Sequence, residues 1–275
     1  MYLAQTVPLA PDSRLTILLE MKAVKRPFSV STLVSRSKFP FLLCAAAVAL
    51  AGLNSNLTAA QSQWLWQIGK PDQDNAELAL APDGSSKYAE DGFFLVGESD
   101  ARRDWPFVHP GPADNWAGNR QHTFIIVFGL KTLPAEGECR LAVKLLDTHS
   151  SGPPKLRLQI NGHDYERDMP RGAGDASIGG QPSKGRPHAF EVKFPSNLLR
   201  AGDNDIQITT TEGSWLLYDW VGLETPIGAE LAAAASHTIV TSLKGVRGLR
   251  ERGGQTFQPI AVSLRHFGDP SIAKL

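Results

Sequence analysis

The stretch from Ser99 to His122 gathers the residues whose chemistry stands out: Arg102, Arg103, Asp104, Trp105, His109, Asp114, Asn115, Trp116, Asn119 and Arg120, stiffened by Pro106, Pro110 and Pro112. Sugar rings offer flat C–H faces that stack on indoles, and their hydroxyls take paired hydrogen bonds from Asp, Asn and Arg. A polar, aromatic, proline-held loop of this kind reads as a binding segment rather than a strand. The candidate carbohydrate-binding residues are Arg102, Arg103, Asp104, Trp105, His109, Trp116 and Arg120. If the ligand carries uronate carboxylates, Arg102, Arg103 or Arg120 would take them, because the guanidinium fork matches a carboxylate bidentately.

The same residues allow a second chemistry. β-Elimination beside a uronic acid, as in an exo-acting polysaccharide lyase, needs a charge neutraliser at the carboxylate and a base for the α-proton. Arg102 or Arg120 could serve as the first, His109 or Tyr218 as the second. In a third reading the tryptophans are packing and the domain only props up a longer protein. Other catalytic patterns are missing: there is no Gly-x-Ser-x-Gly elbow, and His109, His122, His149, His163 and His188 have no metal-ligand spacing. Arg171-Gly172-Ala173-Gly174-Asp175 lacks the Gly-Lys-Ser/Thr ending of a phosphate loop. No cofactor is expected beyond a structural Ca²⁺, for which Asp72 with Asp74, or Asp175, are the candidates against a plain turn role.

These residues must be positioned by strands. The chain has 275 residues with 28 Lys+Arg against 28 Asp+Glu, and this even balance excludes a basic nucleic-acid binder. Its two cysteines cannot make a disulfide scaffold. Period-two patterns recur at 93–96, 122–130, 139–146, 155–160, 189–194, 205–210 and 215–223. Turn signals such as Gly111-Pro112, Gly152-Pro153-Pro154, Asn161-Gly162 and Gly202-Asp203-Asn204 separate them. Asn-Gly between two strand patterns predicts a type I′ hairpin. The expected fold is all-β: an antiparallel jelly-roll sandwich, galactose-binding-like. Cys139 lies in an alternating segment and reads as a small core residue.

Residues 1–60 differ in kind. Lys22, Lys25, Arg26, Arg36 and Lys38 precede an apolar run from Phe39 to Leu53, and Thr58, Ala59 and Ala60 follow it. That order reads as a signal peptide, with Met21 as the start of ordinary proportions and cleavage near Ala60. It implies a secreted or periplasmic protein with no membrane attachment after cleavage. Residues 61–275 would then carry 22 bases and 26 acids, a net of −4. The expected order is a sandwich at 61–225, a linker at 226–237 and an incomplete β segment at 238–275, whose two strands would leave an unpaired edge.

Five segments occur in an order that resembles a known family: Trp66 to Asp72, Asp104-Trp105-Pro106, Ile160-Asn161-Gly162, Leu199 to Ile206, and Tyr218 to Glu224. The chain is similar here, from about Trp64 to Thr225, to the carbohydrate-binding-like jelly-roll domain of rhamnogalacturonan lyases and related bacterial polysaccharide lyases. The resemblance implies an accessory domain with a polysaccharide ligand. In the fungal and plant enzymes the catalytic Lys and His belong to a large N-terminal domain with no counterpart here, so no catalytic residue carries over.

Overall fold

The computed structural model describes residues 6–9, 14–22, 61–235, 237–269 and 271–274. The apolar run of the expected leader, and its expected cleavage point, lie outside the described residues. In chain order the first strands are β1 (Thr6–Leu9), β2 (Arg14–Lys22), β3 (Ser62–Gly69), β4 (Phe93–Leu95) and β5 (Val108–His109). There follow β6 (His122–Thr132), β7 (Glu138–Thr148), β8 (Lys155–Ile160), β9 (His163–Asp168), β10 (His188–Pro195), β11 (Gly202–Glu212) and β12 (Leu216–Pro226). The last are β13 (Glu230–Ala232), β14 (His237–Gly245), β15 (Arg250–Arg252), β16 (Gln255–Phe267) and β17 (Ser271–Lys274). A single turn of helix, α1 (Ala101–Asp104), precedes β5. Among the described residues no helix is long and apolar enough to cross a membrane.

Two sheets form an antiparallel sandwich. One has the order β10-β7-β12-β3, with β5 added to β12; the other has β13-β6-β11-β8-β9, with β4 running parallel beside β6. Alternation explains the core, since every second residue of a strand points inward. Phe124, Ile126 and Phe128 of β6, Leu156, Leu158 and Ile160 of β8, and Ile206 and Ile208 of β11 face Leu141, Val143 and Leu145 of β7, with Val192 and Phe194 of β10. Cys139 is buried with them, and burial pushes its thiol up to about 12. The β8–β9 hairpin turns at Asn161 (φ 47°) and Gly162 (φ 85°), the positive pair that a type I′ turn requires.

Strand β12 breaks its own alternation. Register shifts lie between Leu217 and Tyr218 and between Tyr218 and Trp220, so Leu216 and Leu217 are both fully buried. Trp220 is thereby turned onto the outer face, where its ring lies over Gly222; a Cβ there would sit 2.3 Å from the indole.

The expected linker is instead attached to the sandwich. β13 pairs with β6, and Gly129 admits it, because a Cβ at that position would meet the Ala232 carbonyl at 2.8 Å. Residues 238–275, expected as an unfinished unit, contain β14, β15 and β16, and β2 pairs along β16 from Arg14↔Arg265 to Lys22↔Phe257. This third sheet packs on the outer face of β4 and β6. Phe267 joins Phe93, Leu95 and Val127, with Ile239 and Ala234 around them. Arg265 crosses the same junction to Asp104 at 2.6 Å.

Candidate functional site

The predicted loop folds into two layers, one buried and one exposed. Asp100 starts α1 by accepting the Arg102 N–H at 2.9 Å, which leaves Arg102 and Arg103 in solvent and turns Asp104 inward. Asp104 is 3% exposed and accepts from Arg103 Nε and Nη2 at 2.9 and 3.0 Å and from Arg265. Burial opposes its ionisation, but the two guanidinium groups outweigh that and hold its carboxyl below the usual range. Asp104 is thus an anchor for the third sheet, through Arg265 of β16, and is turned away from any ligand.

Trp105, His109 and Tyr218 are corrections to the sequence-based site. Trp105 is fully buried, with ring centroids 5.1 Å from Phe124 and 5.3 Å from Tyr218. His109 stacks on Phe124 at 3.9 Å, its Nε2 lies 3.0 Å from the His122 carbonyl and its Nδ1 lies 2.9 Å from the Tyr218 hydroxyl. A carbonyl only accepts, so Nε2 carries the proton and the Tyr218 hydroxyl donates to Nδ1. Burial lowers the His109 pKa to about 4 and raises that of Tyr218. Enclosed and mutually satisfied, neither can abstract a proton from a polymer. The physical reason is apolar surface: a proline-rich loop folding over the sandwich end buries its largest rings first.

The exposed layer surrounds Asp91, which sequence reasoning missed. Asp91 accepts from Tyr88 Oη at 2.7 Å, from Arg120 Nη1 and Nη2 at 3.0 Å each and from Thr123 N at 3.2 Å, and it lies 2.7 Å from His122 Nδ1. Desolvation pushes its pKa up, but these bonds push harder and hold the carboxyl well below the usual range. Tyr88 is raised by burial and then by the Asp91 charge. Gly118 (φ 95°) and Asn119 (φ 51°) turn the chain so that Arg120 returns to Asp91. Asp114 fixes the start of this segment by accepting from Gly111 N at 2.7 Å and from Ser214 Oγ. Trp116 remains 40% exposed and touches Tyr88 edge-on at 6.0 Å.

Beside this cluster runs a groove of about 550 Å³ lined by Asp91, Arg120, Thr123, Ala117, Phe93 and Ile125 from the sandwich and by Ile239, Val240 and Lys244 from β14. A hollow of about 180 Å³ adjoins it through Ala89, Asp91, Phe93 and Ile239. Of the predicted binding residues, Arg120 lines the groove and Trp116 is linked to it through Tyr88 and Asp91, Arg102 lies on α1 with Nη2 3.2 Å from the Ala76 carbonyl, and Arg103 borders the smaller hollow. The Asp91-Gly92 pair just before a strand was the only signal in the sequence for Asp91.

Elsewhere the polar groups do structural work. Asp147 is fully buried and gathers the glycine-rich loop: Thr148 N and Ala173 N donate at 2.9 Å, Arg186 N at 3.2 Å and Ser177 Oγ at 2.6 Å. Asp72 accepts from Asp74 N at 3.1 Å, closing its own turn, and Asp175 is exposed. Among the described residues no group of three or more His, Cys, Asp or Glu is placed to hold a metal.

An antiparallel sandwich with an open groove lined by Asp91, Arg120 and Thr123, and an exposed Trp116 next in sequence to Ala117 of that lining, has the build of a carbohydrate-binding-like module. Residues 64–223 match the family described as the CBM-like domain III of polysaccharide lyase family 4, and the chain belongs to that family. None of the curated proteins matches it. Among solved structures it is similar to a family 35 carbohydrate-binding module from an environmental isolate, at 12% identity over 54% of this chain and 92% of that one, with a TM-score of 0.32. It is also similar to the CBM35 from Cellvibrio japonicus Abf62, at 14% identity over 64% and 94%, with a TM-score of 0.29. Scores this low carry no inference about the ligand.

Proposed function

We propose that this domain is a non-catalytic module that binds an acidic polysaccharide in the groove beside Trp116 and Arg120. The observation that carries this is a large exposed indole packed on Tyr88, whose hydroxyl donates to Asp91 in the lining of an open groove that also carries the Arg120 guanidinium and the Thr123 hydroxyl. Indoles left 40% exposed are poor packing, whereas a sugar face can cover one. The lyase reading loses its proposed bases, because His109 and Tyr218 are enclosed. The basic, apolar and small-residue order of residues 21–60 supports export, and with it work in the secreted or periplasmic space.

Affinity electrophoresis of the chain in gels containing rhamnogalacturonan, pectin or arabinogalactan tests the proposal. Retardation in at least one acidic gel, lost in Trp116→Ala, is expected. Unretarded migration in every gel would sink it.

A further inference from the structure

We propose that Lys244, supplied by β14 from outside the family-matched span, takes the carboxylate of a uronic-acid sugar and gives the groove its preference for acidic over neutral polysaccharide. This rests on the reading of the groove as a polysaccharide site.

Among the described residues, the charged side chains lining the groove are Asp91, Arg120 and Lys244. Both terminal nitrogens of Arg120 are held by Asp91 at 3.0 Å, and Nη1 also donates to the Gln121 carbonyl at 3.0 Å. Arg120, one of the three arginines expected to meet a carboxylate, is therefore already paired, and its positive charge is cancelled where it stands. Lys244 differs. It is exposed, it makes no ion pair among the described residues, and it faces the same groove from the opposite sheet.

Charge over the two adjoining hollows points the same way. Lys87, Arg103, Arg120, Lys244 and Arg265 stand against Glu90, Asp91 and Asp104. Arg103 and Arg265 are engaged with Asp104. The lining keeps an excess of positive charge in a chain whose formal net charge is 0. A concave, cationic surface on a neutral chain concentrates anions.

The neighbours of Lys244 suit a sugar. Val240 on the same strand is 61% exposed and, with Ile239, gives an apolar edge for C–H groups, while Thr123 and the Asp91–Arg120 pair give hydroxyl partners across the groove. An ammonium on a flexible four-carbon stem can follow a carboxylate whose position varies from one residue of a polymer to the next.

The test is binding of the full chain to polygalacturonate and to its fully methyl-esterified form, for wild type, Lys244→Gln, Lys244→Arg and Trp116→Ala. Lys244→Gln should weaken polygalacturonate binding about tenfold, and its residual binding should respond less to salt than that of wild type. Binding to the ester should be unchanged, Lys244→Arg should retain most of the affinity, and an unaltered thermal midpoint would certify the fold. If Trp116→Ala abolishes binding while Lys244→Gln binds polygalacturonate like wild type, the role of Lys244 is overturned and the groove stands. If wild type binds neither polymer, the groove reading fails and takes this inference with it.

Discussion

Asp219 on β12 offers the most quantitative check on how the fold treats charge. It is 2% exposed and its Oδ1 accepts the Gln73 N–H at 3.0 Å, which ties the 70–78 loop to the sheet. Burial, and then the negative charges of Asp72 and Glu77, outweigh this bond and Lys144, and raise its pKa from 3.8 to about 6. Because the folded value lies above the unfolded one, folding favours the protonated form. The contribution of Asp219 to stability is fully present below about pH 4 and is lost as the pH rises through about 6. Two units correspond to about 3 kcal/mol at pH 7.5. Asp219→Asn keeps the acceptor for Gln73 and removes the charge, so it should raise stability by about that amount, on the order of 5–10 °C for a domain of this size. Thermal unfolding by circular dichroism at pH 3.5, 5 and 7.5 measures it. The gap between variant and wild type should be near zero at pH 3.5 and grow through pH 6. A variant no more stable than wild type at pH 7.5, or a gap that does not depend on pH, would refute the reasoning.

Three further outcomes follow from the same contacts. Asp91→Ala removes the acceptor shared by Tyr88, Arg120 and Thr123 N and leaves His122 Nδ1 without its carboxylate, so denaturant titration at pH 7 should show a loss of about 3 kcal/mol. Since the folded pKa of Asp91 lies below its unfolded value, its stabilisation is present above about pH 4 and fades as the pH falls through the folded value; the variant should therefore match wild type more closely in strong acid. Asp147→Ala frees the loop that Ala173 N, Ser177 Oγ and Arg186 N tie down, and trypsin should then cut at Arg171 or Lys184 faster than in wild type. Cys139 should resist thiol reagents at pH 8 in the folded chain and react at the rate of unfolding, because the thiol is buried and pushed up to about 12.

The strands that proved easiest to read were those with one clean buried face. β6, β8 and β11 alternate almost without fault, and their expected limits fall within a few residues of the observed ones. β9 went unread apart from its turn, because His163–Asp168 is an edge strand with one face exposed and only Tyr165 packed against the core on the other, so it carries no apolar period. β3 was hidden by a register shift opposite Leu223 and Glu224, which puts Trp64 outside and Trp66 inside within three residues. The same fault in alternation disguised Trp220.

The sequence by itself determined an antiparallel sandwich, its Asn161-Gly162 turn and a loop rich in tryptophan and arginine, because these depend on local period and backbone preference. Only the tertiary structure decided which of those loop residues could meet a ligand. An indole is both the best platform for a sugar and the largest filler for a core, so Trp105 and Trp116 look alike until Phe124 and Tyr218 close over one and leave the other exposed. Arg120 likewise reads as a free cation until a carboxylate 29 residues earlier in the chain is brought against it. Charge is a property of residues, but whether it is already neutralised depends on the partner that the fold supplies.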